Sequence, residues 1–146
     1  MKKDILLIED NQDDIELTLD AFQQGGNADR LLTFRDGVDA LDYLFADKAP
    51  APIPTLILLD INLPRKSGLE VLTELREEPR TQLIPVVMLT SSNREEDQIT
   101  AYNSGANSYV CKPLDFNRFV EVTEQLVSYW TKTNMAPSNS PIPSHA

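Results

Sequence analysis

Histidine and cysteine occur once each in this 146-residue chain, as His145 and Cys111. With its lone imidazole one residue from the C-terminus, the chain has no internal histidine for a Ser-His-Asp triad, a histidine zinc site or a phosphohistidine relay. A lone cysteine cannot close an internal disulfide, which points to a reducing, cytoplasmic setting. Beside Lys112, Cys111 reads as a buried core thiol rather than a redox sensor. Positive charge is scarce too: 13 Lys and Arg stand against 23 Asp and Glu, a formal charge of −10. Such a surface repels phosphate backbones, so nucleic acid is not an expected partner. No apolar run approaches the roughly 20 residues that span a bilayer, so no membrane partner is expected either. The opening Met1-Lys2-Lys3-Asp4 leads into an apolar segment too brief for a secretory signal.

What is present is an ordinary globular composition, 41% hydrophobic and 25% charged, in a length that suits one domain. Short apolar runs alternate with amphipathic stretches. Ile5-Leu6-Leu7-Ile8 reads as a strand buried on both faces. Asp10 to Phe22 repeats apolar residues at helical spacing, with Asp13, Asp14 and Glu16 in the first turns, where the helix dipole favours anions. Arg30 to Arg35 is a weaker strand, and Val38 to Phe45 a short helix. Leu56 to Leu59 is a strand stopping at Asp60, followed by a helix over Gly68 to Glu77. Pro85 to Leu89 is a strand ending at Thr90, and Glu95 to Asn103 a helix. Ser108 to Cys111 is a strand ending at Lys112-Pro113, and Asp115 to about Lys132 is the longest helix. Five βα units imply a parallel sheet covered on both faces. Two segments lack a periodic apolar pattern: Asp47 to Pro54, and the proline-rich tail 133–146 that follows the domain at 1–132.

Ligands of an open parallel sheet bind beyond the carboxyl ends of its strands. The residues there are Glu9 and Asp10, Asp60, Thr90 and Lys112: three carboxylates, a hydroxyl and an ammonium on one rim. Clustered carboxylates are stable together mainly when a cation compensates them, and an all-oxygen set suits Mg²⁺. A carboxylate also accepts a phosphoryl group as an acyl phosphate. Singly, each residue has a bland account: Asp10 as a helix N-cap, Glu9 as a solvated loop residue, Asp60 as a turn cap, Thr90 with Ser91 and Ser92 as caps of the next helix, Lys112 as a surface lysine. Turn chemistry does not readily explain their joint appearance at four strand ends.

The chain resembles the receiver domains of two-component response regulators from about Ile5 to Trp130. The matching elements are Ile8-Glu9-Asp10, Leu58-Leu59-Asp60-Ile61-Asn62-Leu63-Pro64, Ser67-Gly68, Pro85 to Thr90, Gly105-Ala106, and Tyr109-Val110-Cys111-Lys112-Pro113. The resemblance implies a flavodoxin-like α/β fold, (βα)5, with a doubly wound parallel five-stranded sheet in strand order 2-1-3-4-5. It implies that Asp60 is the phosphoacceptor, served by a sensor histidine kinase. Glu9, Asp10 and Asp60, with the main-chain carbonyl of Asn62, are then the Mg²⁺ residues. Lys112 would contact the phosphoryl group, and its bond to Pro113 is expected to be cis. Thr90 and Tyr109 are the implied switch pair, with the aromatic ring rotating inward as the hydroxyl moves toward the phosphoryl group. Leu83 to Glu96 and Ser128-Tyr129-Trp130 look like single-domain regulators paired with bacterial phytochromes.

Two other functions meet obstacles in the residues. A phosphohydrolase resembling the haloacid dehalogenase group wants a second Asp two residues after the nucleophile, where this chain has Asn62. A true flavodoxin wants a Ser-, Thr- and Gly-rich loop after the first strand, and Glu9-Asp10-Asn11-Gln12-Asp13-Asp14 is a poor cradle for a phosphate. The expected role is a phosphoacceptor switch that assists its own phosphorylation and dephosphorylation rather than an enzyme. With no DNA-binding or catalytic domain expected after Trp130, its output would be contact with a downstream protein, onward relay of the phosphoryl group, or drainage of phosphate from the kinase, and the sequence does not choose among these. Phe119, Tyr129 and Trp130 on the last helix, with the tail, suggest a homodimer in which the tail packs on the partner subunit.

Overall fold

The computed structural model of the chain describes residues 3–46 and 52–137. Residues 47–51 of the expected irregular segment lie outside that range, as does the tail beyond Pro137 with Pro141, Pro143, His145 and its expected packing on a partner.

The apolar runs form the sheet. Strands β1 (Ile5–Ile8), β3 (Leu56–Leu59) and β4 (Val86–Thr90) are buried at every position, as both-sides-apolar sequences require. Strands β2 (Leu31–Phe34) and β5 (Ser108–Cys111) form the two edges of a fully parallel sheet in the order β2-β1-β3-β4-β5. Register is continuous across the middle, Ile8 facing Leu59 and Leu59 facing Met88. Side chains alternate between two cores. Ile5, Leu7, Leu56, Leu58, Val87 and Leu89 meet Phe119 and Val127 on one face. Leu6, Ile8, Ile57, Leu59, Val86 and Met88 meet Leu41, Leu72 and Leu75 on the other.

The helices start where the sequence supplies caps. Asn11 caps α1 (Gln12–Gln24), Asp36 caps α2 (Gly37–Leu44), and Ser67 with Glu70 forms a capping box on α3 (Gly68–Glu77). Helix α4 (Glu95–Asn103) has no side-chain cap and buries only Ala101. Asp115 caps α5 (Phe116–Ser128), and α1 and α5 cover one face of the sheet together.

Two expectations change. The last helix does not run α-helically to Lys132: α5 stops at Ser128, and Tyr129–Thr133 is wound as a π-turn, closed by the Asn134 N–H donating to the Tyr129 carbonyl. Cys111 is exposed rather than buried. Its strand is the sheet's outer edge and Cys111 is that strand's last residue, so one flank of the thiol has no neighbouring strand to cover it.

Candidate functional site

Parallel pairing carries the chain past each strand end in step, and this assembles the rim. The Glu9 N–H donates to Phe34 O at 2.9 Å, the Asp60 N–H to Ile8 O at 3.1 Å, and the Lys112 N–H to Thr90 O at 2.8 Å. Glu9 and Asp60 are thereby side by side, 1% and 6% exposed. Close approach of α3 closes the floor. Gly68 donates its N–H to Ile61 O at 2.8 Å, and a Cβ at position 68 would stand 2.0 Å from the Asp60 carbonyl oxygen. The Asn62 N–H points back to Asp60 Oδ1 at 3.4 Å.

Lys112 is the centre of the cluster. Its ammonium pairs with Glu9 Oε1, with Asp14 Oδ2 at 2.9 Å and with Asp60 Oδ2 at 3.2 Å. Burial opposes the charge on Lys112, but hydrogen bonds to Glu9 and Asp14 and the charge of Asp60 outweigh it, holding the ammonium above its ordinary value. Glu9 also moves up, which for a carboxylate disfavours the charged form: burial raises it, Lys112 opposes, and the adjacent Asp60 adds to the rise, leaving it pushed up to about 7. Three carboxylates share one cation, so the site is short of positive charge.

Asp10 is half-buried beside this cluster and is not among the partners of the ammonium; its carbonyl accepts from Arg35 at 3.1 Å. Thr90 is fully buried, and Tyr109 packs its ring against the core. Both reach the same residue: the Ser92 N–H donates to Thr90 Oγ1 at 3.3 Å, and the Tyr109 hydroxyl donates to Ser92 O at 2.9 Å. Burial raises the phenol of Tyr109 despite that hydrogen bond, so it remains a donor. The Lys112–Pro113 bond, expected cis, is trans, there being no cis peptide among the described residues. The trans form is the lower-energy one for X–Pro by about 0.5–1 kcal/mol, and Lys112 reaches all three carboxylates with it.

Asp14 and Ser92 join the site without having been singled out for it. Asp14 reads from sequence as a dipole-stabilising acid in a first turn, and Ser92 as a helix cap. Their partners are 98 and 17 residues away, which local pattern does not encode.

Among the described residues no three acidic, thiol or imidazole side chains stand as a ready-made metal cage. The donor chemistry nevertheless fits a hard divalent cation: Glu9 and Asp60 are buried oxygen donors, and Lys112 under-compensates their charge.

Fold and rim together define a flavodoxin-like α/β domain whose reactive edge is built of acids around one lysine. The family model for the response regulator receiver domain matches residues 5–124, and the chain belongs to that family. It is 39% identical over 134 residues to the probable methanogenesis regulatory protein FilR2 of Methanothrix harundinacea, covering 91% of this chain and 86% of that protein. It is 36% identical over 138 residues to the response regulator Rcp1 of Synechocystis sp., covering 93% and 94%. The crystal structure of the phosphorylated cyanobacterial phytochrome response regulator RcpA matches with a TM-score of 0.84 at 36% identity, over 94% of this chain and all of that one. The Mn²⁺-bound form of Rcp1 matches with a TM-score of 0.80 at 34% identity, over 92% and 98%.

Proposed function

We propose that the chain is a phosphoacceptor switch in which Asp60 takes a phosphoryl group from a sensor histidine kinase and the change is passed on by protein contact. The observation that carries this reading is the buried Asp60 carboxylate at the end of β3, held 3.2 Å from the Lys112 ammonium. In the transfer, an Asp60 oxygen forms a bond to phosphorus. The P–N bond of the donor phosphohistidine breaks, and its electron pair returns to the imidazole. Lys112 is suited to neutralise the incoming oxygens, and Thr90 to donate its hydroxyl to one of them, its oxygen being only an acceptor from the Ser92 N–H. Glu9, Asp10 and Asp60, with the Asn62 carbonyl, are the residues that would hold Mg²⁺. Bound there, the cation would neutralise charge on the transferring group. Tyr109 and Thr90 share Ser92 as a partner, which supports their role as a pair that repacks the α4–β5 face. On this reading the protein assists its own phosphorylation and dephosphorylation and is not otherwise an enzyme.

The likeness to RcpA, a cyanobacterial phytochrome response regulator, favours a phytochrome-type, light-sensing kinase as donor, and the lone cysteine favours a cytoplasmic setting. No helix among the described residues is long and apolar enough to cross a membrane. A homodimer through α5 and the tail is also proposed, on the half-exposed Tyr129 stacked edge-on with Trp130. Sedimentation of a chain ending at Lys132 should give weaker dimers.

The decisive experiment is incubation with acetyl phosphate, with and without Mg²⁺, read by intact mass beside Asp60→Asn. An added phosphoryl mass requiring both Mg²⁺ and Asp60 is expected. An adduct that survives in Asp60→Asn would overturn the assignment.

A further inference from the structure

Asp14 contacts the Lys112 ammonium more closely than Asp60 does, 2.9 Å against 3.2 Å. Local structure fixes its place. The Asn11 side chain accepts from the Asp14 N–H at 3.0 Å, and the Thr18 hydroxyl donates to the Asp14 carbonyl at 2.7 Å. Side chains in a helix lean toward its N-terminus, and at the start of α1 that direction leads over the rim. The three carboxylates around Lys112 differ in depth. Their side chains are 1% exposed for Glu9, 8% for Asp60 and 32% for Asp14. Asp14 is the outermost.

An ammonium has three N–H donors, and Lys112 has three carboxylate partners for them. The two deeper partners are the carboxylates that a divalent cation needs. A cation entering the site therefore competes with a positive charge already there, and charges of like sign a few ångströms apart repel strongly where water is scarce. The partner that draws the ammonium outward decides how much of Glu9 and Asp60 is left for the cation.

We propose that Asp14 is a positioning residue that shares the Lys112 ammonium and draws it toward the mouth of the site, weakening its hold on Glu9 and Asp60 so that a divalent cation can displace it from them. The inference deepens the phosphoacceptor reading and rests on it for the purpose of that cation. Without Asp14, one N–H of Lys112 loses its partner and the ammonium is held by Glu9 and Asp60 alone, more tightly and deeper in the site. The action of Asp14 is thus exerted through Lys112, which separates it from a direct ligand or a general surface charge.

Mn²⁺ alone is the probe, its free concentration followed by electron paramagnetic resonance. Four proteins are titrated: wild type, Asp14→Asn, Lys112→Met and the double variant. The Asn11 cap uses only the backbone of Asp14, so α1 keeps its start in each, as circular dichroism will verify. With Lys112 present, Asp14→Asn should weaken Mn²⁺ binding about tenfold, about 1.4 kcal/mol. In the Lys112→Met background the same change should cost less than about twofold, because the interaction it removes no longer exists. An equal loss in both backgrounds, or no loss with Lys112 present, overturns the inference and leaves the phosphoacceptor reading standing. A wild-type protein that takes up no Mn²⁺ overturns the metal part of that reading as well.

Discussion

At position 68 a side chain has nowhere to go: a Cβ there would lie 2.0 Å from the Asp60 carbonyl oxygen and 2.9 Å from Ile61 Cα. The obstruction is backbone on both counts and cannot rotate away. Gly68→Ala should cost about 2–3 kcal/mol, seen as a lower urea midpoint with an unchanged slope; an unchanged midpoint would show that α3 shifts freely. Asp4 makes a different one-residue argument. Its carboxylate accepts from Arg30 at 2.9 and 2.7 Å and from Thr55 at 2.8 Å, tying the entries of β1, β2 and β3 together. Burial raises Asp4, but the hydrogen bonds from Arg30 and Thr55 outweigh it, so its folded-state value lies below the ordinary one. A depressed carboxylate stabilises the fold above its unfolded value, near 3.9, and that contribution disappears as pH falls through the folded value. Asp4→Asn should therefore cost about 2–3 kcal/mol at pH 7, with the difference from wild type shrinking only below about pH 4. A difference that stays constant down to pH 2 would remove the ion pair from the explanation.

Among the elements, α4 and the turns around it depend on one side chain from α3. Arg76 donates to the carbonyls of Gly105, Gln82 and Ile84 at 2.9, 3.0 and 2.8 Å, and to Asn107 Oδ1 at 2.9 Å. Asn107 Oδ1 in turn receives the Val86 N–H at 2.8 Å, so the network registers β4 against the approach to β5. Arg76→Met would leave several half-buried carbonyls unpaired, at a cost of about 2–4 kcal/mol. Arg76→Lys should recover less than half of that, because one ammonium cannot span the same fork; full recovery in urea unfolding would contradict the network. None of this was visible in the sequence, where Arg76 is one more charge in an amphipathic helix. The elements themselves were legible, because four-residue apolar runs and capping residues act locally: α3, α4 and β5 begin and end where periodicity puts them. The end of α5 was not, since Leu126, Val127 and Trp130 keep an apolar stripe through Ser128 and the stripe does not report how the backbone is wound. Nor was the exposure of Cys111, because an apolar run reads alike in an edge strand and a central one. At the rim, strand-end residues could be read off in order, whereas Asp14 belongs to the site only through a lysine at the far end of the chain.

For the molecule as a whole, the acid excess acts twice, once as a diffuse repulsion and once as a focused deficit. The chain carries a formal charge of −10, and within that field three carboxylates share the Lys112 ammonium. Compacting a chain of one dominant sign costs electrostatic energy that any salt relieves, since the screening length shrinks to about 8 Å at 0.15 M ionic strength. A divalent cation held, as proposed, by Glu9, Asp10 and Asp60 would stabilise differently, by binding the folded form alone. At a hundred times its dissociation constant it should add about 2.7 kcal/mol to the unfolding free energy. Matching Mg²⁺ against KCl at equal ionic strength separates the two effects. Wild type should gain from both, with Mg²⁺ well ahead. Asp60→Asn should keep the KCl gain and lose most of the Mg²⁺ excess. If Mg²⁺ and KCl stabilise wild type equally in urea titrations, the cation is only screening, and the rim is an acid–lysine cluster that needs no metal to stand.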